Sequence, residues 1–154
     1  MSEELKKAKI YALRVVNFRP RSAKELTNKL KEKNFSDNII AEVISEFKKK
    51  GFLNDAKFSR LWINSRMASK PKGEALLKRE LMEKGVTNDV INEVIEEAKS
   101  EYSEYEIVKN LADQRMERLR DLDKRTAKRR LFGFLKRRGF NFETIMKVLN
   151  EVVP

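Results

Sequence analysis

Residues 26–44 read LTNKLKEKNFSDNIIAEVI, and this stretch decides the fold because the chain states its pattern three times. Leu26-x3-Leu30-x4-Phe35-Ser36-x3-Ile40-x2-Val43-Ile44 returns 51 residues later as Leu77-x3-Leu81-x4-Val86-Thr87-x3-Ile91-x2-Val94-Ile95. A further shift of 54 gives Leu131-x3-Leu135-x4-Phe140-Asn141-x3-Ile145-x2-Val148-Leu149. Apolar residues three and four apart share one face of a helix. Between the two apolar halves, one position holds Asn34, Gly85 and Gly139. These residues enter the left-handed region at least cost and so end a helix. Two positions later, Ser36, Thr87 and Asn141 offer side-chain oxygens to the free amides of a new helix. The unit is helix, tight turn, helix, with no gap inside any copy.

Another helical stretch precedes each copy, so each repeat is expected to hold three helices. In the first, Leu5, Ala8, Ala12, Leu13 and Val16 keep helical spacing until Arg19-Pro20 ends the run. Ser22 and Glu25 predict a capping box for the second helix, and the third runs from Asp37 to Lys50 with Gly51 closing it. Asn54-Asp55 opens the second repeat, where Phe58, Leu61, Trp62 and Ser65 share a side and Trp62 reads as core. Its helices are expected at Glu74 to Lys84 and Asn88 to Ala98, after the break at Ser69-Lys70-Pro71-Lys72-Gly73. Ser103 and Glu106 predict a capping box for the third repeat. Its basic second helix spans Lys124 to Arg138, after a joint at Asp121 to Asp123, and the last helix spans Phe142 to Val152.

The boundaries expected from this reading are 1–51, 52–101 and 102–154, with a less regular segment, Glu101 to Tyr105, before the third repeat. A bundle of about 45 residues is near the size at which a single core is marginal. Three copies that lean on one another bury shared interfaces, which is the logic of a short solenoid. The expected fold class is all-α, an elongated curved array of three tandem three-helix repeats.

The composition restricts the chemistry. Among 154 residues there is no Cys and no His. Disulfides, thiolate metal sites, cysteine nucleophiles and the usual general base are therefore excluded. No aspartate-rich Ca²⁺ loop or Gly-rich phosphate loop occurs, so no cofactor and no metal are expected, and an enzyme is not. The start of the chain is dense in charge, without a signal-peptide h-region, and no stretch approaches the roughly 20 apolar residues of a membrane span. A soluble, cytoplasmic protein is the expectation. The net charge of +11 predicts an anionic partner and, through repulsion between copies, a monomer.

The clearest cationic focus is the third repeat. On its second helix, with Leu131 pointing inward, Arg125, Arg129, Lys136 and Arg137 fall on the far side, and Arg130 and Arg138 add to the charge. Arg115, Arg118 and Arg120 on the preceding helix extend it. A basic helix is by default a solvated face, since Lys and Arg are good helix formers. Here the acidic partners that would neutralise it at helical spacing are missing. Uncompensated arginine suits planar contact with phosphate or carboxylate.

A second focus runs from Ser65-Arg66 to Lys70-Pro71-Lys72-Gly73, with Arg79 in the helix that follows. A rigid basic turn ahead of a helix N-terminus can hold an anion, although a plain loop would look the same. Phe132 lies beside Arg125 and Lys136 on the helical wheel, which allows base stacking; packing between repeats is the expectation. The carboxylates, among them Glu96, Glu97 and Glu101, read as solvated surface charge.

Arg19-Pro20-Arg21-Ser22 with Glu25-Leu26 and Leu30, Gly51-Phe52-Leu53-Asn54-Asp55 with Phe58, Ser65-Arg66 with Lys70 and Gly73, and Glu80-Leu81 with Lys84-Gly85-Val86 follow in order. Arg138-Gly139-Phe140 with Ile145 and Val148 closes the series. In this order and spacing the chain resembles the RecX family of recombination regulators over nearly its whole length. The resemblance implies a binding protein, without catalysis of its own, that lies in the helical groove of the RecA recombinase filament on single-stranded DNA. There it would hinder filament extension or promote disassembly, and so suppress ATP hydrolysis, strand exchange and repressor autocleavage in DNA repair and the SOS response. Weaker, salt-sensitive contact with double-stranded DNA is a secondary expectation. Asn34 departs from the Gly of the other two copies. The competing reading is a sequence-specific helix-turn-helix DNA-binding protein, against which the helix after each turn is poor in base-reading residues.

Overall fold

The computed structural model describes residues 2–154. Nine α-helices and no strand occur among them: α1 Glu3–Phe18, α2 Ala23–Glu32, α3 Asp37–Lys49, α4 Asp55–Ser69, α5 Glu74–Glu83, α6 Asn88–Glu101, α7 Glu104–Leu119, α8 Lys124–Arg137 and α9 Phe142–Val152. The helices stop where the sequence supplies a stop. Arg19 is extended at φ −161°, and Asn34, Gly51, Gly85 and Gly139 all take positive φ, between 65° and 88°. Ser22 and Glu25 form the complete capping box, whereas Ser103 accepts from the Glu106 amide at 3.2 Å as a simple cap. Ser36 makes no side-chain cap, and its own amide donates to Glu4 at 2.8 Å.

Two compact units emerge. The first comprises residues 1–62 and 81–94, the second residues 63–80 and 95–154. In the first unit, α1, α2 and α3 pack pairwise around Leu5, Ala8, Ala12, Leu26, Leu30, Val43 and Phe47. In the second, α7, α8 and α9 do the same around Val108, Ala112, Leu131, Leu135, Ile145 and Val148. The leucines of the repeated pattern, Leu26, Leu30, Leu131 and Leu135, are fully buried. Each such side chain contributes on the order of 2 kcal/mol by leaving water.

Within each unit, one three-helix group is joined to the next by the same device. In the first, the Ser22 hydroxyl donates to the Lys84 carbonyl at 2.7 Å, and Lys84 Nζ stands 3.5 Å from Glu25. Gly85 lies so close to Lys24 that an added Cβ would sit 2.5 Å from the lysine Cβ. In the second, the Gly73 amide donates to the Arg138 carbonyl at 2.8 Å, and the Arg138 guanidinium donates to the Pro71 carbonyl at 2.9 Å. Here a Cβ on Gly139 would fall 2.6 Å from Leu76 Cβ, and one on Gly73 would overlap the Gly139 carbonyl. Ser22 and Gly73 are 51 residues apart and Lys84 and Arg138 54, the offsets of the sequence repeat.

The ends do not repeat the joint. The α2–α3 turn carries Asn34, which has a side chain where the joints admit none. Helix α8 has 14 residues where α2 and α5 have 10, because it starts one turn earlier from an Asp123 cap. Ala127, the counterpart of Gly73, is consequently buried inside α8. The added turn both removes the docking segment and supplies Lys124 and Arg125.

Three expectations change. Helix α6 continues to Glu101 and α7 begins at Glu104, so the segment expected to be irregular is only Tyr102 and Ser103. Phe132, expected between repeats, packs against the core of the third group with its ring edge-on to Phe142 at 5.9 Å; the turn at Asn141 brings the start of α9 back beside α8. Trp62 is half-buried rather than fully core, stacked at 5.9 Å on Phe58 with Lys84 Nζ 5.2 Å from its ring.

Candidate nucleic-acid interface

Helices α7 and α8 pack side by side because Val108 and Ala112 meet Ala127, Leu131 and Leu135 in the core. Their outer faces then form a concavity of about 440 Å³ lined by Arg115, Arg118, Arg129, Arg130 and Arg137, with Leu119 and Gly133 in its floor. None of the five guanidiniums has a carboxylate within 4.0 Å among the described residues. Asp123, the cap of α8, feels the charge of Arg129 without pairing with it. It is held below the usual carboxylate range by hydrogen bonds from the Thr126 amide and hydroxyl, and Arg129 adds to that shift.

Arg115 is positioned by an aromatic ring. Its guanidinium lies 4.3 Å from the centroid of Phe134, and that of Arg138 lies 5.0 Å from the same ring. Burial, and after it the charge of Arg115, lowers the Arg138 pKa. Arginine stays protonated through such a shift, so Arg138 is a charged strut of the joint while Arg115 faces the concavity.

Gly133 has a purpose that periodicity does not show. Glycine inside a helix costs about 1 kcal/mol relative to alanine. A Cβ here would meet a terminal nitrogen of Arg137 at 3.0 Å, so the glycine lets the guanidinium lie down across α8. A lone glycine amid a helical pattern was the available signal. Five guanidiniums of fixed fork geometry around one hollow can bind phosphate oxygens bidentately.

The remaining cations named from the sequence stand differently. Arg125 and Lys136 are exposed on α8 outside the concavity, and Lys70 and Arg79 are exposed on the α4–α5 loop and on α5. Arg66 grips Glu80 with two nitrogens at 3.1 and 3.0 Å, and Lys72 Nζ reaches the same carboxylate at 2.7 Å. The Gly73 amide, at the start of α5, is already spent on the Arg138 carbonyl. This loop therefore closes a joint, and Lys70 is the cation it leaves toward solvent.

Three family models match in tandem: the first RecX three-helix domain over residues 8–47, the second over 54–95 and the third over 102–149. The chain belongs to the RecX family. The regulatory protein RecX of Amycolatopsis mediterranei is 33% identical over 149 residues, covering 97% of this chain and 85% of the relative. That of Pelodictyon phaeoclathratiforme is 32% identical over 95% of this chain and 89% of its own. With RecX of Bacillus subtilis the identity is 31% over 97% of this chain, which spans 56% of that longer relative. The RecX crystal structure from Lactobacillus salivarius superposes with a TM-score of 0.86 over 99% of this chain and 98% of its own, at 20% identity. That likeness shows the fold, three tandem three-helix RecX domains. The RecX relatives bear the name regulatory protein. No helix among the described residues is long and apolar enough to cross a membrane, and no cluster of metal-ligating side chains occurs among them.

Proposed function

We propose that this RecX-family chain binds the RecA filament on single-stranded DNA, lies in its helical groove and restrains it. By hindering extension or promoting disassembly it lowers ATP hydrolysis, strand exchange and repressor autocleavage, as a cytoplasmic monomer acting by binding alone. The observation that carries this reading is the hollow of five arginines between α7 and α8, with no carboxylate among the described residues paired to them. Such a site costs self-repulsion in the free protein and is relieved by a polyanion. Family membership supplies the regulatory role.

The position of the arginines favours this reading over a sequence-specific helix-turn-helix protein. In that architecture the helix after the tight turn would enter the major groove. Here that helix is α9, whose charged residues are Glu143, Lys147 and Glu151, and the arginines come from α7 and α8. Contacts from these helices suit backbone phosphates, which position a protein without reading sequence. Co-sedimentation with preformed filaments, set against single-stranded DNA alone and recombinase alone, tests the proposal. Preferential pelleting with filaments is expected; equal pelleting with naked DNA would reduce the protein to a general polyanion binder.

A further inference from the structure

The first unit carries a surface of different chemistry. The end of α1, the α1–α2 loop, the α3–α4 turn and α4 enclose an open groove of about 150 Å³. Val16, Pro20, Phe52 and Leu61 give it an apolar lining, and Arg21 and Lys57 stand in its walls. Phe52 is 48% exposed and Leu61 43%, and Phe18, 82% exposed, lies beside the wall with its ring 6.0 Å from the Arg21 guanidinium. Large side chains left in water together, rimmed by charge, mark an interaction surface.

The cations of this groove lack a carboxylate partner, although Arg21 Nε donates to the Val15 carbonyl at 3.4 Å. Neither Arg21 nor Lys57 makes an ion pair within 4.0 Å among the described residues, and no carboxylate lines the groove. Asp55, the nearby acid of α4, accepts the Ala23 amide at 2.9 Å. Arg19 extends the positive edge although Glu25 pairs with it at 2.8 Å. Phe52 is held edge-on against Phe47 at 5.3 Å, so the apolar floor is preformed.

A phosphate backbone would leave the apolar half of this groove unsatisfied, and a neutral apolar segment would leave its two cations unpaired. We infer that the groove docks a short acidic segment of a protein partner, carrying one bulky aromatic or aliphatic side chain as its anchor. The anchor occupies the hollow between Phe52 and Leu61, and carboxylates on either side of it pair with Arg21 and Lys57. The arginine hollow of the second unit is built for phosphates and this groove for protein, so one chain can hold a nucleoprotein by both of its components. The assignment stands on the groove's own chemistry and does not require the partner to be a recombinase.

The test uses the full chain, isotope-labelled for NMR, with a synthetic twelve-residue Asp/Glu-rich peptide bearing one central Phe. A second peptide has Ala in place of that Phe. Chemical-shift changes at Phe52, Lys57 and Leu61 are expected with the Phe peptide, and an affinity about tenfold weaker with the Ala peptide. In Lys57→Glu/Leu61→Ser, both exposed positions, groove shifts should vanish while single-stranded DNA binding by the second unit is retained. Equal binding of the two peptides, shifts centred on Arg129 and Arg137, or no binding at all would each overturn the assignment. Loss of DNA binding by wild-type protein would instead count against the reading of the arginine hollow.

Discussion

Replacing Arg129 and Arg137 by alanine removes two of the five guanidiniums around the α7–α8 hollow. Both are exposed, so the core around Leu131 and Leu135 is untouched. Each phosphate neutralised on a single strand contributes about −0.7 to the slope of log K against log salt. Five contacts give a slope of about −3.5, and three give about −2.1. Between about 50 and 200 mM salt the wild-type chain should lose about 130-fold in affinity for an unstructured oligonucleotide, and the double variant only about 20-fold. Other lysines add the same amount to both slopes, so the difference of about 1.4 is the quantity to measure, by fluorescence anisotropy across a salt series. Parallel lines, with the variant merely displaced, would refute the claim that these two arginines contact phosphates.

Other outcomes follow from single contacts. Gly133→Ala should raise thermal stability by up to about 1 kcal/mol, because a helix gains a better former, while weakening DNA affinity by displacing Arg137; calorimetry and anisotropy on one preparation check both signs. Gly73→Ala should cost about 1–3 kcal/mol, since its Cβ meets the backbone at Gly139 and Phe140, which cannot yield. Asn34→Gly, at an exposed turn, should stay within about 1 kcal/mol of wild type in chemical denaturation. For Glu25, burial opposes ionisation, but hydrogen bonds from Arg19 and the Ser22 amide outweigh it and hold the carboxyl below its ordinary 4.5. Its ionised form therefore stabilises the fold above that value, and the contribution fades as pH falls through the lowered native value. Glu25→Gln should lower stability at neutral pH and change it little at acid pH, where Glu25 is itself protonated, so that the acid limb of the stability-against-pH curve flattens.

The turns were legible because their cause is local. A left-handed residue followed two positions later by an oxygen-bearing cap needs no tertiary information, and Asn34, Gly85 and Gly139 all take positive φ. The basic character of the third repeat was legible for the same reason. What the pattern of α8 could not show is which arginines converge. The wheel drawn from Leu131 puts Arg125, Arg129, Lys136 and Arg137 on one far side, whereas packing against α7 brings Arg129, Arg130 and Arg137 together with Arg115 and Arg118 and leaves Arg125 and Lys136 outside the hollow. That choice depends on the rotation of one helix against another, which periodicity leaves free. The basic loop at Lys70 to Gly73 shows how a second requirement can draw on the same donors. Its residues suit an anion, yet Glu80 takes Arg66 and Lys72, and Arg138 takes the Gly73 amide, because a joint between three-helix groups needs the same donors.

The proposed role of the arginine hollow is to act against a recombinase filament. The most direct test measures DNA-dependent ATP hydrolysis by RecA on single-stranded DNA with increasing amounts of wild-type chain or Arg129→Glu/Arg137→Glu, after circular dichroism has shown equal helicity. Wild type should suppress hydrolysis, and the reversed variant should need at least about tenfold more protein for the same effect. Equal suppression by both proteins would contradict that role.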